Sequence, residues 1–157
     1  MKRIGVLLAG SGVFDGSEIH ESVLTLLSIE KNGAGYSCFA PAVPQKEVVD
    51  HVSGTAVPNE TRSVLVESGR IARGQVADIA TFNPRDFDAL IVPGGFGVPK
   101  NLLLPPKEIG PAMKVHPHVA KCLRQMHECK VRPSKYIAGL SVRGLIGMKI
   151  MCRNQLD

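Results

Sequence analysis

The sequence has no tryptophan, two tyrosines and five phenylalanines among its 157 residues. So small an aromatic share argues against the stacking platforms on which single-stranded nucleic-acid modules depend. Four cysteines, Cys38, Cys122, Cys129 and Cys152, form no CxxC pair and no regular framework. That sets aside a disulfide scaffold and reads as reduced thiols in a cytoplasmic protein. No apolar run approaches the ~18 residues of a membrane span, so no membrane partner is expected. Met1-Lys2-Arg3 before IGVLLAG mimics the start of a secretory signal, but its apolar run is at the short limit of the ~7–15 residues required. It reads instead as a buried first strand. GK[ST] is absent as well, which excludes a P-loop.

What is present fits one domain, 1–157. The chain is 44% hydrophobic and 21% charged, close to the globular average. Sixteen glycines and eleven prolines suit the short connections of an α/β fold. The net charge of +5 is uneven: residues 1–99 carry −3 and residues 100–157 carry +8. Because the basic residues alternate with Pro, Gly and apolar positions, they read as a solvated face and no nucleic-acid partner is expected.

Continuous apolar runs mark parallel strands buried on both faces. Ile4–Leu8, Tyr36–Ala40, Asp88–Pro93 and Tyr136–Val142 are the four expected strands. A helix is expected to start near Asp15 or Ser17, with either residue as its cap and Ile19, Val23, Leu26 and Leu27 as its apolar positions. Thr61–Arg73 and Pro117–Glu128 read as further helices; residues 42–60 suggest no element. Strand–helix alternation gives an α/β, flavodoxin-like, doubly wound sheet with strand order 2-1-3-4.

Chemistry in such a sheet gathers at the carboxyl ends of the strands. Three turn-like segments fall there: Gly10–Gly16, Pro93–Gly97 and the turn after Leu140. The first misses the spacing of a dinucleotide fingerprint at Gly16, and strand two ends Phe39-Ala40-Pro41 without the acid that would hold a ribose. Glu18 and Glu21 open the first helix. They favour its N-terminus electrostatically, or Glu21 points to the strand edge as a partly buried acid/base whose pKa burial would raise. Gly94-Gly95 is a tight turn, or a place where backbone N–H groups approach an oxyanion. His116 and His118 lack a recognised third ligand, and no metal or other cofactor is expected.

The stretches GVLLAGSGVFDGSEIHESVLTLL, CFAP, ETRSVLVESGRIARG and FDALIVPGGFGVPKNL, from about Arg3 to Glu128, resemble one family. It is the ElbB (enhancing lycopene biosynthesis) branch of the PfpI/ThiJ proteins, in the class I glutamine amidotransferase-like superfamily. The resemblance implies a flavodoxin-like sandwich with a cysteine on a nucleophile elbow. It also implies cofactor-independent, glyoxalase-type (lyase) chemistry on a small dicarbonyl. Glu21 matches the family's helix glutamate and Gly95 one amide donor of the oxyanion site. KYIAGLSVRGLIGMKI is the one candidate elbow; it sets Ser141 in place of the cysteine and Val142 at the second amide.

A serine there needs a better base than Glu21, whereas a tuned thiol ionises by itself. The expected function is therefore an ElbB-like glyoxalase with impaired catalysis; the alternative is a non-catalytic binding or interaction protein on the same scaffold. The expected sheet is incomplete after about residue 150, and an open edge at Tyr136–Val142 predicts a homo-oligomer. A cytoplasmic location is expected, though a mitochondrial chain without its presequence would read the same.

Overall fold

The computed structural model describes residues 1–104, 114–128 and 136–139. Strand β1 (Arg3–Leu7) leads through a loop to helix α1 (Ile19–Lys31) and strand β2 (Gly35–Ala40). A small antiparallel hairpin, β3 (Val49–Asp50) with β4 (Thr55–Ala56), precedes α2 (Val64–Ile71) and β5 (Val76–Asp78). Then come β6 (Ala89–Val92), the short α3 (Gly97–Asn101), a two-stranded pair β7 (Leu103–Leu104) and β8 (Lys114–Val115), α4 (Pro117–Glu128) and β9 (Tyr136–Gly139).

The main sheet runs β5-β2-β1-β6-β9, all parallel. The four expected strands therefore take the expected order, as β2-β1-β6-β9. Several elements were not anticipated, among them β5 outside β2, the hairpin within residues 42–60, the short α3 and the β7–β8 pair. The strands among them are three residues long or shorter and α3 is five, too brief to leave a periodic pattern.

Successive residues of a strand face opposite sides, and here both sides are covered. Val6 and Leu8, Cys38 and Ala40 turn to a layer with Leu26 and Ile29 of α1 and Val64 and Ile71 of α2. Leu7, Phe39, Leu90 and Val92 turn to the other layer, with Val119, Cys122 and Met126 of α4. In that second layer Phe39, Phe82 and Phe87 pack together, with Phe82 and Phe87 stacked at 5.0 Å and Phe39 edge-on to both. The result is the three-layer, flavodoxin-like α/β arrangement read from the sequence.

The start of α1 needs correction. Its cap is Glu18, whose side chain accepts the Glu21 N–H at 2.7 Å. Asp15 and Ser17 are occupied elsewhere: Asp15 accepts Val49 N–H at 2.8 Å and Ser17 Oγ accepts Ala9 N–H at 2.8 Å. The phase of the helix also differs. It buries Ser22, Thr25, Leu26 and Ile29, so of the four apolar positions expected inside only Leu26 is there.

Candidate functional site

Two loops meet at the carboxyl end of β1 and β6. The first, Gly10–Gly16, folds on itself through Gly12 N–H to Ser17 O at 2.9 Å and Gly16 N–H to Gly12 O at 2.7 Å. The second, Pro93–Gly97, is tied to it by two backbone bonds, Phe96 N–H to Val13 O at 2.8 Å and Gly97 N–H to Gly16 O at 2.9 Å, and to the start of α1 by a third, Glu18 N–H to Gly94 O at 2.7 Å. Such contact requires glycine. A Cβ on Gly95, whose φ is +110°, would stand 2.3 Å from Gly16 O, and one on Gly97 would stand 2.4 Å from Gly16 Cα.

Glu21 projects from the first turns of α1 into this junction. Its Oε2 accepts the Gly94 N–H at 2.8 Å, which fixes a half-buried carboxylate at the strand edge. The following amide, Gly95 N–H, has no acceptor among the described residues, the requirement for an oxyanion donor. Glu21 and Gly95 are thus brought together. Ser141 and Val142, with the third expected turn, lie outside the described residues.

Glu18 has a separate task. Burial raises its carboxyl pKa, but the Glu21 N–H and the neighbouring His20 outweigh burial and hold it below the ordinary value. His20 Nδ1 is 3.0 Å from Glu18 Oε1, so the carboxylate that caps the helix stays ionised while Glu21 faces the junction.

Sequence reasoning missed the groups that hold the first loop. Asn101 Nδ2 donates to Ala9 O and to Asp15 O, both at 2.8 Å, and its Oδ1 accepts Lys46 N–H at 2.9 Å. Gln45 Nε2 donates to Asp15 O at 3.1 Å. His51 Nδ1 lies 2.9 Å from Val49 O, while Nε2 accepts Phe14 N–H at 3.3 Å. Asn101 falls inside the PGGFGVPKNL stretch, and its place there was the available signal. Bordering both loops is a groove of about 330 Å³ walled by Phe14, Val49, Ala56 and Phe96, with Glu47 and Lys100 at its side. Ligand pockets start near ~300 Å³.

No family model matches the chain. It is 43% identical over 126 residues to the human glutamine amidotransferase-like class 1 domain-containing protein 3, mitochondrial, covering 80% of this chain and 47% of that protein. It is 42% identical over 128 residues to the rat ES1 protein homolog, mitochondrial, covering 82% and 48%. A crystal structure of an isoprenoid biosynthesis protein with an amidotransferase-like domain from Ehrlichia chaffeensis superposes with a TM-score of 0.77 at 39% identity, over 87% of this chain and 62% of that one. The chain spans about half the length of the curated relatives it matches.

Fold, loop junction and these likenesses point to one class: the chain fits the class I glutamine amidotransferase-like superfamily. Within it, the chain fits the ElbB group, alongside the ES1 homologues.

Proposed function

We propose that the protein is an ElbB-like, glyoxalase-type enzyme of low activity, converting a small dicarbonyl and water to a hydroxy acid. The observation that carries this reading is the Glu21–Gly94 hydrogen bond beside the Gly95 amide, which no described residue engages. It supports the reading because a carboxylate able to move a proton lies next to a backbone amide able to hold an oxyanion. In the proposed sequence the Ser141 hydroxyl adds to the aldehyde carbon, giving a hemiacetal whose oxygen is held by the Gly95 and Val142 amides. Glu21 then takes the proton from that carbon and returns it to the adjacent carbonyl carbon, while the hemiacetal hydroxyl gives its proton to the adjacent oxygen, which becomes a hydroxyl, and itself becomes the carbonyl of a serine ester. Water cleaves the resulting ester, releasing the hydroxy acid and restoring serine.

A specific residue favours the second reading, a non-catalytic binding protein: serine stands where the resemblance implies cysteine. The relatives' mitochondrial names support a mitochondrial rather than a cytoplasmic location, a proposal that cell fractionation tests. The chemistry is tested by methylglyoxal consumption. Slow turnover is expected for the unmodified chain, loss on Glu21→Gln, and a gain on Ser141→Cys. Equal rates in all three, each shown to be folded, would sink the enzymatic reading and leave the binding one.

A further inference from the structure

His51 stands one residue past β3, on the turn that leads to β4, and its ring packs on the first loop. Gly12 makes room for it: a Cβ there would lie 2.5 Å from His51 Nε2 and 2.8 Å from Asp15 Oδ1. Nε2 accepts the Phe14 N–H at 3.3 Å, and Nδ1 lies 2.9 Å from Val49 O. One form of the ring satisfies both contacts, the neutral imidazole that donates its Nδ1 proton to the carbonyl. The amide that His51 holds has a second edge. Phe14 N–H and Val13 C=O belong to one planar peptide unit, and Val13 O accepts the Phe96 N–H at 2.8 Å. A single peptide plane is thus pinned by His51 on one side and pins, on the other, the residue that follows Gly95. Beside Nε2 is a group without a donor: Asp15 Oδ1 is buried with no hydrogen bond, 3.8 Å from the ring nitrogen.

We propose that His51 is a positioning residue: neutral, it clamps the Val13–Phe14 peptide, and protonated, it exchanges Phe14 for Asp15 and loosens the junction that aligns the Gly95 amide. The exchange follows from the donor count. Neutral Nε2 offers a lone pair to the Phe14 N–H; protonated Nε2 carries a hydrogen and cannot. It then faces Asp15 Oδ1, whose lack of a partner costs free energy that a charge-assisted hydrogen bond recovers. Histidine is the side chain that ordinarily changes charge between about pH 5 and 8. The other charged groups around the ring are engaged elsewhere. Asp50, beside it on the turn, accepts the Val52 N–H at 2.8 Å. Lys100 of α3 donates to Phe14 O at 2.7 Å and pairs with Glu47. Arg62, paired with Glu60, acts on Asp15 through charge at longer range. The clamp is therefore closed above the histidine range and open below it. Its effect on rate rests on the oxyanion reading of Gly95 given above; the exchange of partners at His51 does not.

Heteronuclear NMR of the full 157-residue chain from about pH 8 to 5 tests it without any substitution. At the alkaline end the His51 ring is expected as the Nδ1–H tautomer. On acidification the Phe14 and Phe96 amides are expected to shift with the midpoint of the His51 ring itself. In His51→Gln, whose amide oxygen can accept the Phe14 N–H throughout this range, both amide shifts are expected to stay flat. Where dicarbonyl turnover is measurable, His51→Ala is expected to lower kcat ~10-fold or more at the alkaline end with KM little changed, as misplacement of a reacting group does. Glutamine at the same position is expected to restore most of that loss. An Nε2–H tautomer at the alkaline end, amides that ignore the His51 titration, amides that still titrate in His51→Gln, or equal kcat in the unmodified and alanine forms would each overturn the proposal. Absence of turnover in every form, with the amides still following His51, would sink the glyoxalase reading and uphold the clamp.

Discussion

Two glutamates three residues apart divide the work at the start of α1. Glu18 caps the helix, accepting Glu21 N–H at 2.7 Å, and Glu21 reaches across to Gly94. The pH behaviour of Glu18 follows from its depressed pKa. A carboxyl held below its unfolded-state value stabilises the fold above that value, and the contribution disappears as pH falls through the folded-state pKa. Glu18→Ala is therefore expected to cost about 1 kcal/mol at pH 7, the worth of an N-cap acceptor. The gap to the unmodified chain should close as pH falls from 5 toward 3. Urea denaturation across that range measures it; a gap that stays constant or widens contradicts the assignment. The sequence made both acids visible but not their roles, because two carboxylates on one helical turn differ only in what the neighbouring loop brings to them. Gly94 comes from 73 residues away, and no local pattern encodes that.

Among the elements the sequence did announce, the long strands were the most legible and the phase of α1 the least. A strand covered on both faces must be apolar at every position, so Ile4–Leu8 and DALIVP stand out whichever way they point. An amphipathic helix has a phase to be found, and α1 carries aliphatics all round. Its phase is set by the Glu18 cap and the Ser17–Ala9 bond, both consequences of how the Gly10–Gly16 loop closes. The same loop makes a sharp element-scale prediction from two glycines. Gly97→Ala would force a Cβ to 2.4 Å from Gly16 Cα, and backbone on both sides cannot yield without parting the loops. A loss of about 3 kcal/mol is expected, as for other overpacked or strained positions. Gly69, inside α2, meets nothing nearer than Val76 Cγ1 at 3.7 Å. Gly69→Ala should therefore stabilise by roughly 0.5–1 kcal/mol, the helix-propensity gain. Thermal melts of the two variants should move in opposite directions. If both fall alike, close approach of the two loops is not what glycine serves at 97.

At the scale of the whole molecule, the sheet serves both cores, so neither layer of helices can be lost without exposing one face of the same strands. Val6 and Leu7 are adjacent yet belong to different layers, and disturbing β1 disturbs both. The chain supplies a reporter in each. Cys38 lies in the α1/α2 layer and Cys122 in the α4 layer, and both are buried. Burial pushes the Cys38 thiol to about 11 and the Cys122 thiol to about 12. Since the thiolate is the reactive form, neither should be alkylated at pH 8 until the fold opens. Leu90 is fully buried in the α4 layer, so Leu90→Ala is expected to cost about 2–5 kcal/mol. At roughly 2–4 °C per kcal/mol for a chain of this size, the melting temperature should fall by some 5–20 °C. If the sheet couples the layers, that loss appears equally at both thiols. Cys38 and Cys122 should become reactive at the same urea concentration, and both midpoints should shift together in Leu90→Ala, with mass spectrometry separating them from Cys129 and Cys152. Labelling of Cys122 well before Cys38 would show instead that α4 leaves the sheet alone, and that the α1/α2 layer with Glu21 stands as a unit without it.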